Sequence, residues 1–375
     1  MEYVQRAIKE LQDKRGNKSG KHAMVGLDGF VDTIIHLVAK RHGLGDDFSR
    51  IETIEDFGNR ILAAAGKSSN IEMYPKMEKL GGNGPIMANA LCATGFPVTY
   101  VGALGKPAVH PVFEDFARKT NAICVSDPGF TNALEFNDGK IMMGITNTLE
   151  NVTYESILET MGEGPFMDLL AKSSLISLVN WTMIPRMNAI YQCLTDRMLP
   201  SLPPMDGGRI FFFDLADPEK RAQSELVEAL RAIAKFQNFG NVTLGLNLKE
   251  GQQVSDAFNL GENGEDDESL KRLAKKIRAE LNISTVVVHP TRCAACANKT
   301  GEWCVDGPYV ESPKITTGAG DHFNAGFTTG QLLGLSPEAC LTVGVSVSGY
   351  YVRTAISPSL NDLDRNIRNW RGFKK

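Results

Sequence analysis

Thr316-Thr317-Gly318-Ala319-Gly320-Asp321-His322-Phe323-Asn324-Ala325-Gly326 is the stretch from which the rest of the chain can be read. A Gly-rich turn opens here into residues of helical pattern that run to the break at Gly334 to Pro337. Such a junction points backbone N–H groups at one spot, where the positive end of the helix dipole adds to them, so it stabilises an anion. A carboxylate directly behind the turn, Asp321, would be repelled by a phosphate unless it faced the incoming nucleophile, whose proton it could then accept. The local reading is an anion hole with a base beside it. The plainer alternative is a structural glycine turn in which Asp321 only favours the helix dipole, and Gly-x-Gly-Asp by itself does not separate the two.

Outward from this segment the chain keeps an alternating rhythm. Short β-rich apolar runs at 23–27, 98–103, 175–179, 210–213, 242–246 and 285–288 are separated by helical patterns. This predicts an α/β protein with a doubly wound, mainly parallel sheet. Between the last two runs Leu270, Leu273, Ala274, Ile277 and Leu281 recur at helical spacing, with Lys271, Arg272, Lys275, Lys276 and Arg278 around the other face. That helix is expected to cover the sheet and turn its basic residues to water. The rhythm breaks at 131–145, which reads as two strands around Asn137-Asp138-Gly139, because Asp-Gly tolerates the positive φ of a tight hairpin. Such a hairpin either extends the sheet or projects and covers a bound substrate. Residues 51–65 read as an amphipathic helix, and 261–268 as a polar, acidic connection.

The chain's 375 residues, 42% hydrophobic and 22% charged, suffice for a substantial core in one large α/β unit or two domains. A formal net charge of −4 with scattered basic residues gives no general attraction to polyanions, which argues against a nucleic-acid partner. The N-terminus alternates charged and apolar residues, and no uncharged run approaches membrane-spanning length, so a cytoplasmic protein without a membrane partner is expected. Seven cysteines are too few for a disulfide scaffold. Cys293 and Cys296 form a C-x-x-C pair, but no second pair or neighbouring histidine completes a zinc set, so they read as small buried cysteines after a strand. A dinucleotide fingerprint fails because Phe323 stands where its last glycine belongs, and Gly66-Lys67-Ser68 fails as a P-loop because Ile61 occupies the first glycine position.

From Thr316 to Phe323, with His322 at the free position, the chain resembles the C-terminal signature of the ribokinase-like carbohydrate kinases, the PfkB family. Further segments resemble the family in the right order, from about 25 to 360. The resemblance implies a ribokinase-like three-layer α/β/α fold, a single catalytic domain over 1–375, and a small β lid drawn from about 30–60 and 98–149. It also implies that the amides of Gly318, Ala319 and Gly320 hold the transferring phosphate and that Asp321 is the catalytic base. Thr317 and Asn324 join Asn247 on the nucleotide phosphates.

Val25-Gly26-Leu27-Asp28-Gly29-Phe30-Val31-Asp32 ends a strand with two carboxylates, natural acceptors for sugar hydroxyls. Asp32 is similar to the family's substrate-binding Asp. Asp28 is a second candidate, with the capping of a local turn as its alternative. Gly81-Gly82-Asn83-Gly84 resembles the family's Gly-Gly-x-x-x-Asn motif and puts Gly81, Gly82 and Asn83 at the substrate, glycines being suited to close backbone approach. Ile86 stands where that motif has Asn, and Asn83 or Asn89 is the substitute. Asn247-Leu248-Lys249-Glu250 resembles the family's Asn-x-x-Glu motif, which places Glu250 on Mg²⁺ through water; a plain helix cap is the alternative. Asp214 is a secondary site candidate, while Asp217 reads as the cap of a helix beginning at Pro218. Ile315 stands where monovalent-cation-activated members carry Asp, and a carbon side chain cannot replace an oxygen ligand, so potassium dependence is expected to be weak or absent.

The implied activity is transfer of a phosphoryl group from ATP, with Mg²⁺, to a hydroxyl of a sugar or sugar-like molecule, expected to be a primary alcohol. A nucleoside kinase of the same fold and a non-catalytic sugar- or nucleotide-responsive regulator are the alternatives. A homodimer through the lid strands is compatible with the resemblance.

Overall fold

The computed structural model describes residues 2–369, so residues 1 and 370–375 of the domain expected over 1–375 lie outside the described residues. Its strands in chain order are β1 (Ala23–Leu27), β2 (Phe30–Arg41), β3 (Phe48–Arg50), β4 (Met73–Gly81), β5 (Val98–Ala103), β6 (Ile123–Ser126) and β7 (Gly129–Glu135). They continue as β8 (Lys140–Ile145), β9 (Leu175–Leu178), β10 (Ile210–Asp214), β11 (Asn241–Leu246), β12 (Thr285–Val288), β13 (Cys293–Asn298) and β14 (Gly301–Asp306).

The main sheet has the order β14-β13-β12-β11-β10-β9-β1-β5-β6. Strands from β12 to β6 along this order are parallel, and β13 and β14 close the other edge as an antiparallel pair. Each apolar run seen in the sequence is one of these parallel strands. They are continuous rather than alternating because helices cover both faces. Leu178, Phe213, Leu244 and Val288 face one apolar layer with Leu270, Leu273, Ala274, Ile277 and Leu281 of the helix Asp267–Leu281. Val25, Tyr100, Phe212 and Val287 face the other, with the helices Asn83–Ala93, Ala319–Leu333 and Pro337–Thr354. The result is the three-layer α/β/α arrangement expected.

The second sheet is the lid. β2 pairs antiparallel with β3 and β4 and parallel with β7, which forms the expected hairpin with β8 around Asn137-Asp138-Gly139. A small cluster of Ile35, Leu37, Ile51, Leu134 and Phe136 holds the helix Ile54–Ala63 against it. The lid differs from the expected ranges of about 30–60 and 98–149: β5 and β6 belong to the main sheet, and β4 belongs to the lid. All six residues of β5 are buried, as a parallel strand covered on both faces requires, whereas Lys76, Glu78 and Lys79 mark β4 as a strand that meets water. Cys293 and Cys296 do follow a strand, β12, and themselves lie in the next one, β13; only Cys296 is buried as expected, Cys293 being half-buried.

Candidate active site

A cavity of about 760 Å³ opens between the C-terminal ends of the parallel strands and the lid. Asp214 at the end of β10, Asn247 after β11 and His289 after β12 supply one side, and Asp32, Thr131 and Met142 from the lid supply the other. Ligands of open α/β sheets bind at this edge, where loops diverge around the strand ends.

The Gly-rich turn forms its floor. Gly318 adopts φ 90, a conformation that disfavours side chains, and caps the helix Ala319–Leu333. A Cβ there would also crowd Ile86 at 3.2 Å. The Ala319 N–H donates to the Thr316 carbonyl at 3.1 Å and thereby closes the turn, and His322 N–H donates to the Gly318 carbonyl at 3.0 Å. Of the three amides expected to meet an anion, that of Ala319 is therefore engaged within the turn. The amides of Gly320 and Asp321 remain in the first helical turn, ahead of the helix's own ladder.

Asp321 lies on this floor, 8% exposed, with the Asn83 side chain beside it favouring the charged carboxylate. Burial, reinforced by the charge of Asp28, pushes its carboxyl well above the usual carboxylate range. Above it, Asp32 is buried against the Thr131 hydroxyl and near Lys79 and Lys140, and burial raises its carboxyl too. Gly81 lies beside it without lining the cavity: any Cβ there would fall 2.5 Å from the Asp32 carboxylate. Gly82 and Asn83 do line the cavity, as expected.

Asp28 is corrected from substrate ligand to structural anchor. It is fully buried and accepts hydrogen bonds from the N–H groups of Asn83 (2.9 Å) and Gly84 (2.8 Å) and from Asn180 Nδ2 (2.6 Å). Burial shifts its carboxyl up to about 6. Its alternative reading, capping a local turn, is not met either: the amides it holds begin the helix Asn83–Ala93, 55 residues further along the chain. Asn180, unnoticed in the sequence, adopts φ 61, faces the cavity and keeps a buried Oδ1 without a partner. Only its position after β9 hinted at a role.

Asn247 and Glu250 form a reciprocal capping box, with Glu250 N–H to Asn247 Oδ1 at 2.9 Å and Asn247 N–H to Glu250 Oε2 at 2.8 Å. Glu250 Oε1 accepts the Asp217 N–H at 2.9 Å, so both carboxylate oxygens are held by backbone at the cavity wall. Cap and site candidate are thus one arrangement. Asp217 differs from its expected role: at φ 64 it makes no side-chain cap and pairs with Lys220 and Lys249. Asn324 is also corrected. Its buried Nδ2 donates to Asp214 Oδ2 at 2.9 Å, which turns it away from the cavity and makes it the support of Asp214.

Asp214 Oδ1 is buried and has no hydrogen-bond partner among the described residues. Burial, then Glu250 and Asp321, raise its carboxyl well above its ordinary value. An orphaned carboxylate oxygen amid like charges fits a hard divalent cation, and the oxygen donors here are of the type Mg²⁺ takes.

Two histidines were missed. His289 is half-buried, stacked on Phe323 with centroids 4.5 Å apart, and its Nε2 at the cavity wall has no hydrogen-bond partner among the described residues. His322, the free position of the signature, stacks on Tyr351 at 3.6 Å and bridges the Gly318 carbonyl (2.7 Å) and Ser357 Oγ (2.9 Å). Burial lowers both imidazoles to about 4, so they stay neutral at pH 7. Thr317 lines the cavity and accepts the Tyr351 hydroxyl on its carbonyl. Asn89, considered for the missing Asn, instead lines a second cavity with Ile315 and donates to Ser357 Oγ. Asn83 is the amide that reaches the main cavity.

The prokaryotic ketohexokinase family matches residues 2–370 of this chain. A ketohexokinase of Haloferax volcanii is 25% identical over 346 residues, covering 92% of this chain and 90% of that protein. Among solved structures, a ribokinase from Thermotoga maritima superposes with a TM-score of 0.61 at 18% identity, covering 93% of this chain and 99% of that one. An adenosine kinase from Sinorhizobium meliloti does so with a TM-score of 0.61 at 19% identity, covering 93% and 98%. These two likenesses speak for the ribokinase fold alone. No helix among the described residues is long and apolar enough to cross a membrane. With its signature turn, its lid and this match along nearly its whole length, the chain belongs to the prokaryotic ketohexokinase family and is a PfkB-type carbohydrate kinase.

Proposed function

We propose that the chain transfers the terminal phosphoryl group of ATP to a primary hydroxyl of a ketohexose, with Asp321 as the base. The observation that carries this reading is the placement of a buried, elevated carboxylate one residue behind unladdered helix-start amides, inside a cavity that a lid carboxylate also enters. The name of the Haloferax relative supports the ketohexose as acceptor. Asp32 accepts hydrogen bonds from sugar hydroxyls and, with Asn83, turns one of them toward Asp321. The hydroxyl oxygen forms a bond to the terminal phosphorus as the bond to the bridging oxygen of ADP breaks, and its proton passes to Asp321. The amides of Gly320 and Asp321 hydrogen-bond the transferring oxygens, and the dipole of the buried helix adds to them. Mg²⁺, held by Asp214 and through water by Glu250, would supply positive charge opposite the phosphate oxygens. Elevated basicity suits Asp321 to take a proton near neutral pH.

The test is coupled ADP release with Mg-ATP against ketohexoses, aldohexoses and nucleosides. Turnover is expected to be highest with a ketohexose. A nucleoside preferred over every sugar would overturn the acceptor assignment, and nucleotide binding without turnover on any of them would overturn the kinase mechanism.

A further inference from the structure

The C-x-x-C pair is split by its strand. Residues three apart on a strand point to opposite faces. Cys296 is accordingly buried in the layer under the helix Pro337–Thr354, and Cys293 is half-buried in the layer under the helix Asp267–Leu281. The thiol that Cys293 meets belongs to the neighbouring strand. In the β13–β14 pairing Cys293 stands opposite Asp306 and Ala295 opposite Cys304, so Cys293 and Cys304 are diagonal neighbours on one face. Asp267, in the first turn of the covering helix, brings a carboxylate to the same spot. The two sulfurs and one Asp267 oxygen all lie within 4.8 Å of one another. Both cysteines are half-buried and Asp267 is exposed, so the group is open to solvent.

We propose that Cys293, Cys304 and Asp267 form a binding site for a soft divalent cation of the zinc and cadmium class, with one coordination position left to water. Thiolate sulfur selects such ions, and a carboxylate oxygen is an accepted companion ligand. In a tetrahedral zinc site the ligand atoms stand roughly 3.4–3.8 Å apart, so from within 4.8 Å of one another they close around an ion by moving together no more than about 1.4 Å. Ligation takes both sulfurs as thiolates, so an ion bound here releases their protons. A disulfide would need the sulfurs at about 2.0 Å and would give Asp267 no part.

The location gives the site a consequence. β13 starts just after Pro290 and Thr291, and β14 runs into Gly307 and Pro308, all of which wall the catalytic cavity. The Gly307 N–H donates to the Arg292 carbonyl at 2.7 Å and closes that end of the hairpin. A bound ion would pin the cavity end of the hairpin to the start of the covering helix.

The experiment is a titration of fully reduced protein with Cd²⁺ alone, followed by the ultraviolet thiolate-to-cadmium charge-transfer band, with Zn²⁺ as competitor. One equivalent is expected to bind. Loss of an outer partner alone costs about 10–100-fold in metal affinity, so Cys293→Ser and Cys304→Ser should each lose at least about tenfold and weaken the band. Asp267→Asn should lose affinity while the band persists, and because Asp267 is exposed this variant keeps the test decidable if a cysteine variant misfolds. Cys193→Ser should change nothing. Absence of the band in the unmodified protein, affinity indifferent to Asp267→Asn, or cadmium bound equally well by Cys304→Ser would overturn the proposal.

Discussion

The two walls of the catalytic cavity are built on opposite terms. The helix Ala319–Leu333, which carries Asp321, has twelve of its fifteen residues buried. The lid strand β8 has none, and Met142 and Met143 on it are about half exposed. A group set in the first wall cannot shift without disturbing close-packed neighbours on both sides, whereas a strand with few buried contacts rearranges at low cost. The carboxylate proposed to react is thus fixed by the core, and the lid surface proposed to meet the acceptor is free to adjust. Changes at the helix start should break chemistry, and changes in the lid should alter substrate affinity.

The largest effect is expected at the helix start. Asp321→Asn should lower kcat by about 10²- to 10⁴-fold or more while nucleotide affinity, measured by calorimetry, stays nearly unchanged. Next comes the contrast between two aspartates four residues apart. Asp28→Ala strands three donors, two of them buried at about 1–3 kcal/mol each, so a stability loss of about 2 kcal/mol or more should be seen in denaturant melts. Asp32→Ala should instead raise the KM for the sugar, with a smaller change in the melt. Equal stability losses for both would erase the distinction between anchor and ligand. A smaller effect is expected in the lid, where Met142→Ala should shift the sugar KM severalfold and stability by no more than about 0.5 kcal/mol. The smallest concerns the monovalent cation. With Ile315, a carbon side chain, in place of the Asp that the resemblance implies for cation-activated members, replacing potassium by a bulky quaternary ammonium ion should leave the rate unchanged.

The same contrast explains what the sequence disclosed. Buried parallel strands leave unbroken apolar runs, and a Gly-rich helix start leaves a glycine pattern, so the main sheet and Gly318 to Asp321 were legible. The lid range was misplaced because exposed strands such as β4, with Lys76, Glu78 and Lys79, carry no such run. Asp28 and Asp32 look alike in the sequence; only folding shows that the Gly82-Asn83-Gly84 turn closes over the first and leaves the second open. Asn324 was misjudged because its neighbours in the signature suggested a phosphate, while its place on the helix turns it to Asp214. Asn180 and His289 follow β9 and β12 with no motif around them, and strand ends are marked by the sheet rather than by local residues. The Cys293–Cys304 contact is a cross-strand pairing that spacing along the chain cannot reveal.

The central claim, that Asp321 removes the proton from the acceptor hydroxyl, is tested most directly by kcat/KM for a ketohexose as a function of pH, unmodified enzyme beside Asp321→Asn. Because the Asp321 carboxyl is raised above its ordinary range, the active form gains population as pH rises through that raised value. The unmodified enzyme should therefore lose rate on the acid side, and the residual activity of Asp321→Asn should lack that limb. An acid limb of the same midpoint retained in the variant would contradict the account.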